Sequence, residues 1–408
     1  MKPKHCIKDN AIAPKRAARL TVMTVFILAA AHALAGESRI LMGPYVSSVT
    51  PDSAKVMWVT GRDASAGSVA YAGGKAEAVL SGFDGRKEVL HTAALKGLTP
   101  STTYEYEIVD TGSDGSFITA PEPGNSVKTL RFIVYGDTRT KPDRHRSVSE
   151  AMANEKDVSF VAMSGDLVSR GETWRAWEKE FFTPGRSYLR KMAVWPVRGN
   201  HEDEAIFYRE LFDLPGNERW YSFDYGNLHF IALDCYAKGK DRDAQLEWLK
   251  LDLESTKAEW IFACYHAPTF NIGGHASKWG AKDVLPILED RGVDVVVTGH
   301  SHLYERFVPI GPTGKKPLIH IVTGGGGAPN ASAKESALLE GGAGRSALHY
   351  CLFEIQGNTL TMVVKQPDGT VIDNMTLVKK DGMYQDDVMK KSVETGRARE
   401  LIDSSQRK

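Results

Sequence analysis

Gly299-His300-Ser301-His302-Leu303-Tyr304-Glu305-Arg306 stands one residue after the apolar, β-branched run Val293-Asp294-Val295-Val296-Val297. The run reads as a buried strand, and two imidazoles follow its end. Working outward from it, four more strand-like runs end in residues able to bind a metal. They are Gly136-Asp137, Gly165-Asp166, Gly199-Asn200-His201-Glu202 and Tyr265-His266-Ala267-Pro268. Open α/β sheets bind ligands beyond the carboxyl ends of their strands, so residues far apart in sequence can converge there. A glycine before the ligand lets the backbone turn tightly at that edge. Any one of these pairs is uninformative, since Gly-Asp occurs in countless turns. Five in this order carry the signal.

The order and spacing resemble the calcineurin-like metallophosphoesterase superfamily. Residues 299–306 resemble the purple acid phosphatases in particular, as does Gln245-Leu246-Glu247-Trp248-Leu249. The resemblance covers roughly residues 129–378 and implies a four-layer αββα catalytic domain. It implies that Asp137, Asp166 and His302 hold one cation. Asn200, His266 and His300 would hold a second, with Asp166 bridging through its two oxygens. Carboxylate, amide oxygen and imidazole suit Mn, Fe or Zn, and no cysteine lies in these motifs to form a thiolate site. Two such metals polarise a phosphoryl group and acidify a shared water, giving hydroxide for in-line attack. His201 is the candidate to protonate the leaving oxygen, with Glu202 orienting it.

The chain departs from the family pattern at two positions. Most superfamily members read Gly-Asp-x-His in the first motif, and here that histidine is Arg139. Purple acid phosphatases place a tyrosine three residues after the bridging aspartate, and here that position is Ser169. One ligand of the first cation is therefore unassigned. Three completions stay open: His145 supplies an imidazole, Ser169 or water fills the shell, or the site is weak and fills only with substrate. Arg139 beside a dication makes sense if it grips substrate phosphate bidentately. Without the tyrosine, even an iron-loaded protein should lack a tyrosinate charge-transfer band. His275 is a candidate substrate-facing residue, and Tyr304 and Arg306 either line the cleft or pack structurally. His91, His229, His320 and His349 lie in strand-like runs outside the motifs and read as structural.

Outside the motifs the pattern divides in two. From about Arg39 to Lys128, short alternating runs such as Ser53-Ala54-Lys55-Val56-Met57-Trp58-Val59 are separated by Gly, Asp and Pro clusters, the spacing of a β-sandwich. Leu95-Lys96-Gly97-Leu98-Thr99-Pro100-Ser101-Thr102-Thr103-Tyr104 resembles a fibronectin type III signature, with Trp58 as the matching core aromatic. The expected fold is thus an N-terminal all-β, fibronectin III-like sandwich over 38–125 and an α/β metallophosphoesterase domain over 129–378. Pro121–Asn125 reads as the linker, and 379–408 as a charged tail, helical or disordered. Gln245–Ala258 and Ser149–Glu155 read as helical. Tyr221–Cys235 and His349–Leu377 read as hairpins or meanders of a second sheet. Gly324–Gly327 reads as a turn. Gly171–Tyr188 and Asn271–Gly280 read as loops that select substrate. Cys235, Cys264 and Cys351 read as buried free thiols.

Residues 1–35 have the form of an export signal. Basic residues precede the apolar run Leu20–Ala35, which ends in Ala33-Leu34-Ala35. The mature chain is therefore expected to be periplasmic or secreted, with no later membrane span. Lys plus Arg and Asp plus Glu both number 51, so net charge gives no reason to invoke nucleic acid. The leading expectation is hydrolysis of small phosphate monoesters with two metal ions of Fe, Mn or Zn. A phosphodiesterase or nucleotidase on the same centre is the alternative, and a degenerate binding protein is the outlying one.

Overall fold

In the computed structural model, residues 39–406 are described, apart from 63–64, 125–127, 203–205 and 335–343. The expected export signal, and Asn125 at the end of the expected linker, lie outside the described residues. Among the described residues, no helix is long and apolar enough to cross a membrane.

Three β-branched and aromatic runs, Leu130–Tyr135, Val158–Met163 and Ala193–Pro196, form the parallel centre of the first sheet. The register sets Tyr135 beside Met163 and Met163 beside Pro196. The three chains therefore leave the sheet at one edge, each carrying a motif. In the second sheet Leu228–Ala232, Trp260–Tyr265, Val295–Thr298 and Ile319–Thr323 run parallel, with Tyr265 beside Thr298 and Thr298 beside Val322. Their motifs leave in the same way.

The inner faces of the two sheets meet through aromatic rings. Phe262 lies 5.3 Å from Phe132 and 5.2 Å from Phe353, and Phe160 lies 5.3 Å from Phe223. Helices cover the outer faces. Leu249 and Leu253 of Lys240–Ser255, Leu285 and Leu288 of Val284–Asp290, and Ala398 and Ile402 of Thr395–Gln406 pack on the second sheet. Pro142–Ala153 and Thr183–Leu189 cover the first, burying Val148, Met152, Tyr188 and Leu189. The four layers are helix, sheet, sheet, helix.

Before this domain, residues 42–118 form a β-sandwich. Trp58 is buried and stacked on His91, and the Tyr104 hydroxyl accepts the Thr99 amide at 2.9 Å. The sandwich is not tethered by a linker alone. Its first strand, Met42–Ser47, joins the first sheet beside Ala193–Pro196, with Val46 opposite Ala193. Tyr106 donates to the Arg190 carbonyl at 3.1 Å, and Phe83 packs on Trp174 at 4.5 Å.

Several sequence expectations are corrected here. Tyr350–Gln356, Thr359–Lys365 and Val371–Lys380 do form a meander, but it extends the first sheet, because Tyr350–Gln356 pairs antiparallel with Leu130–Tyr135. Tyr221–Tyr225 and Leu228–Ala232 form the expected hairpin of the second sheet. Gly171–Tyr188 is largely helical rather than a loop, and buries Trp177, Phe181 and Phe182. The last segment is packed: Tyr384 donates to Asp294 at 3.0 Å, and Thr395–Gln406 is a helix. Cys235, Cys264 and Cys351 are free and buried.

Candidate metal centre

The five motif turns bring Asp137, Asp166, Asn200, His266, His300 and His302 together. Two overlapping groups have ligand atoms within 4.8 Å of one another: Asp166, His266 and His300, and Asp137, Asp166 and His302. Asp137, Asp166 and His300 adopt left-handed φ of 57°, 54° and 67°, so three donor residues sit in a strained backbone region. The motif glycines leave room for the carboxylates. A Cβ on Gly299 would stand 2.5 Å from Asp137 Oδ2, and one on Gly199 would overlap Asp166 Oδ1.

The donor atoms fit a cation. His266 gives its Nδ1 proton to the Ser164 carbonyl at 2.7 Å. Its Nε2 then faces Asn200 Oδ1 at 3.2 Å and Asp166 Oδ1 at 3.3 Å. His300 Nδ1 lies 3.0 Å from the same Asn200 oxygen. Lone pairs converge here, an arrangement satisfied by a proton or a metal ion. Burial disfavours a charged His266, but Asp166, then Asp137, outweigh it and raise the ring to about 9. Asp137 Oδ1 is buried without a hydrogen-bond partner, and His302 Nε2 lies 3.4 Å away. His302 is oriented by Nδ1, which donates to the Pro329 carbonyl at 2.9 Å.

His201 lies at the margin of the cluster. Its Nδ1 donates to the Ser169 carbonyl at 2.7 Å, and its half-exposed Nε2 lies 3.9 Å from Asp166 Oδ2. Glu202 is not its orienting partner. It is fully buried, and its oxygens accept the amides of Asp166, Leu167, Val168 and Gly199 at 2.6–3.3 Å. Burial and Asp166 push Glu202 upward, while four amide donors favour its charged form. It fixes two ligand-bearing turns and touches no reacting group.

His145 is not brought to the cluster. It is buried, Nε2 facing the Tyr135 hydroxyl at 3.1 Å and Nδ1 donating to the Glu180 carbonyl at 2.8 Å. Both nitrogens are occupied, which removes it as a ligand. The Ser169 hydroxyl is also committed, donating to Glu180 Oε1 at 2.7 Å. Arg139 does reach the cluster, with Nε 3.2 Å from Asp166 Oδ2 and Nη2 3.2 Å from His302 Nε2. His275 lies at the rim, its ring 5.3 Å from those of His300 and His302. Tyr304 and Arg306 both bind Asp373 and are structural.

Three contributors escaped the sequence reading. Gly324–Gly327 is more than a turn: Gly326 donates to the Gly136 carbonyl, Ala328 to the Asp137 carbonyl, and Gly324 abuts Asp137 Oδ2. Four glycines directly after the buried strand Ile319–Thr323 were the available signal. Glu180 accepts from Thr140 N, Ser169 N and Ser169 Oγ, clamping two motif loops together. The Tyr236 hydroxyl lies 3.5 Å from Asn200 Oδ1. Neither residue has a sequence signature.

A family model described as calcineurin-like phosphoesterase matches residues 130–304. Those residues contain every one of the convergent donors. Over those residues the chain is similar to a calcineurin-like phosphoesterase domain. Purple acid phosphatase 23 of Arabidopsis thaliana is 26% identical over 298 residues, covering 59% of this chain and 62% of that protein. Purple acid phosphatase 21 of the same plant is 27% identical over 263 residues, or 58% of each chain. The chain thus spans less than two thirds of these relatives' length. In fold, the chain is similar to purple acid phosphatase PPD1 from yellow lupin, with TM-score 0.69 and 20% identity over 83% of this chain and 74% of that one. PhoD superposes with TM-score 0.60 and 14% identity over 92% and 98%.

Proposed function

We propose that the chain is an exported metal-dependent phosphoesterase that hydrolyses monoesters of small phosphorylated molecules. One observation carries the reading: six ligand-type side chains from five strand ends converge, with His201 at their margin. The purple acid phosphatases among its relatives support the monoester class, and the signal-like residues 1–35 support export. Bound Fe, Mn or Zn supplies Lewis acidity toward phosphoryl oxygens and acidifies water. Asp137, Asp166 and His302 form one half of the holding set, and Asp166, Asn200, His266 and His300 the other. His201, fixed through Nδ1, keeps Nε2 free to hand a proton to the leaving oxygen. Arg139 supplies a planar pair of donors that matches a phosphate edge, and His275 faces the substrate from the rim.

The test is turnover of p-nitrophenyl phosphate beside bis-p-nitrophenyl phosphate by chain reloaded with Mn, Zn or Fe. Monoester turnover abolished by Asp166→Asn, and reduced by about 100-fold or more in His201→Ala, is the expected result. Preference for the diester would replace the monoester reading with a phosphodiesterase on the same centre. A chain that takes up no metal and turns over neither ester would leave only a binding role.

A further inference from the structure

Arg139 occupies an unusual place. Its guanidinium donates to Asp166 Oδ2 and to His302 Nε2, both at 3.2 Å, and to Thr140 Oγ1 at 3.1 Å. The first two acceptors are donors of the Asp137–Asp166–His302 group. His302 has already given its Nδ1 proton to Pro329, so Nε2 offers one lone pair, to the guanidinium or to a cation but not to both. Neither His145 nor Ser169 completes that group, since both are bound elsewhere. The guanidinium touches the Asp166–Asn200–His266–His300 group only through the shared Asp166, at Oδ2, while Oδ1 faces His266.

The arginine is also held in place. Asp137 and Thr140 on either side of its turn have left-handed φ of 57° and 75°, and Glu180 accepts the Thr140 amide at 2.9 Å. The Arg139 side chain is 15% exposed, and the partly exposed His201 marks the solvent side of the cluster it touches. A phosphate oxyanion arriving from that side offers it two oxygens in the geometry a carboxylate offers.

We infer that Arg139 is a resident cation of the first site, which shares Asp166 and His302 with any metal ion there, so that the two metal positions fill unequally and the weaker fills when a phosphate oxyanion draws the guanidinium off. The inequality rests on the geometry of this chain alone; the identity of the anion rests on the phosphoesterase reading.

Equilibrium dialysis of the metal-stripped full chain against Mn or Zn, with bound metal counted, tests this. The expected result is one tight equivalent and a second weaker by about tenfold or more, with inorganic phosphate strengthening the second. In Arg139→Ala and Arg139→Gln the second equivalent should tighten by about tenfold while the first stays unchanged, which also reports that each variant is folded. Two equal equivalents in the unaltered chain, or a second site unmoved in both variants, would overturn the inference. Ester turnover measured on the same samples separates the two readings. Unequal sites without turnover remove the phosphoesterase reading alone, and turnover with equal sites removes the Arg139 inference alone.

Discussion

Asp137, Asp166 and His300 hold donor atoms on backbone that L-residues rarely adopt, at a cost of about 1–3 kcal/mol each. Such a conformation persists only when its surroundings impose it, and Glu202 is the most heavily bonded of those surroundings, with four backbone amides on one buried carboxylate. Glu202→Gln turns one oxygen into a donor facing amide donors. Stability should fall by about 3 kcal/mol or more, read from the denaturant midpoint. Cation affinity should fall with it, because the same amides position Asp166 and Asn200. Gly199→Ala is the sharper substitution. Its Cβ has no room beside Asp166 Oδ1, so metal uptake measured by dialysis should drop by about 100-fold or be lost, even where the chain still folds. His201→Ala should leave metal content unchanged while turnover collapses, since its ring touches no ligand through Nε2 at less than 3.9 Å.

At the level of elements, the motif residues were legible because each is chemistry-bearing in its own right and stands at a strand end. Asp137, Asp166, Asn200, His266, His300 and His302 could all be named from the chain alone. His145 and Glu202 misled for the opposite reason. An imidazole near a gap and a carboxylate beside an acid invite a chemical role, and only packing reveals that Tyr135 and Glu180 hold the first and four amides the second. Sheet membership of the 350–380 meander was also hidden, since alternation marks a strand but not its neighbour. His229, read correctly as structural, pins the hairpin strand Leu228–Ala232 to the helix Lys240–Ser255. It lies between Asp224 at 2.8 Å and Asp252 at 2.9 Å. Burial opposes its charge, but the two carboxylates prevail and raise it to about 9 from 6.5. A group raised on folding stabilises fully below its unfolded value and loses that contribution as pH climbs through the folded one. The hairpin–helix tie should therefore be worth about 2 kcal/mol at about pH 6, below the unfolded value of 6.5, allowing for the exposure of Asp224, and fade toward pH 9. Unfolding curves of His229→Gln and the unaltered chain, recorded from about pH 6 to about pH 10, should differ most at the acid end and converge at the alkaline end.

Over the whole molecule, the two-part reading of the sequence was sound in composition, but the junction was not visible in it. Turn spacing identified a sandwich, and nothing in Met42–Ser47 announced that this strand would pair in parallel with Ala193–Pro196. The strand pairs on one side with Ser53–Thr60 and on the other with Ala193–Pro196 of the first sheet, so it belongs to both halves. Removing residues 39–120 should leave Ala193–Pro196 as a bare edge and strip Phe83 from Trp174 and Tyr45 from Phe182. The truncated chain should be recovered mainly as aggregate, and the full chain should unfold in a single transition by circular dichroism and tryptophan fluorescence alike. The same strand has a consequence for biosynthesis. A ribosome delivers Met42–Ser47 early and Ala193–Pro196 late, so the sandwich waits with an unpaired backbone edge while the rest of the chain is made. During that interval another copy's edge is an equally good mate. Crowding of nascent chains should therefore lower the yield of folded protein, and the loss should begin at Val46 rather than at the metal centre.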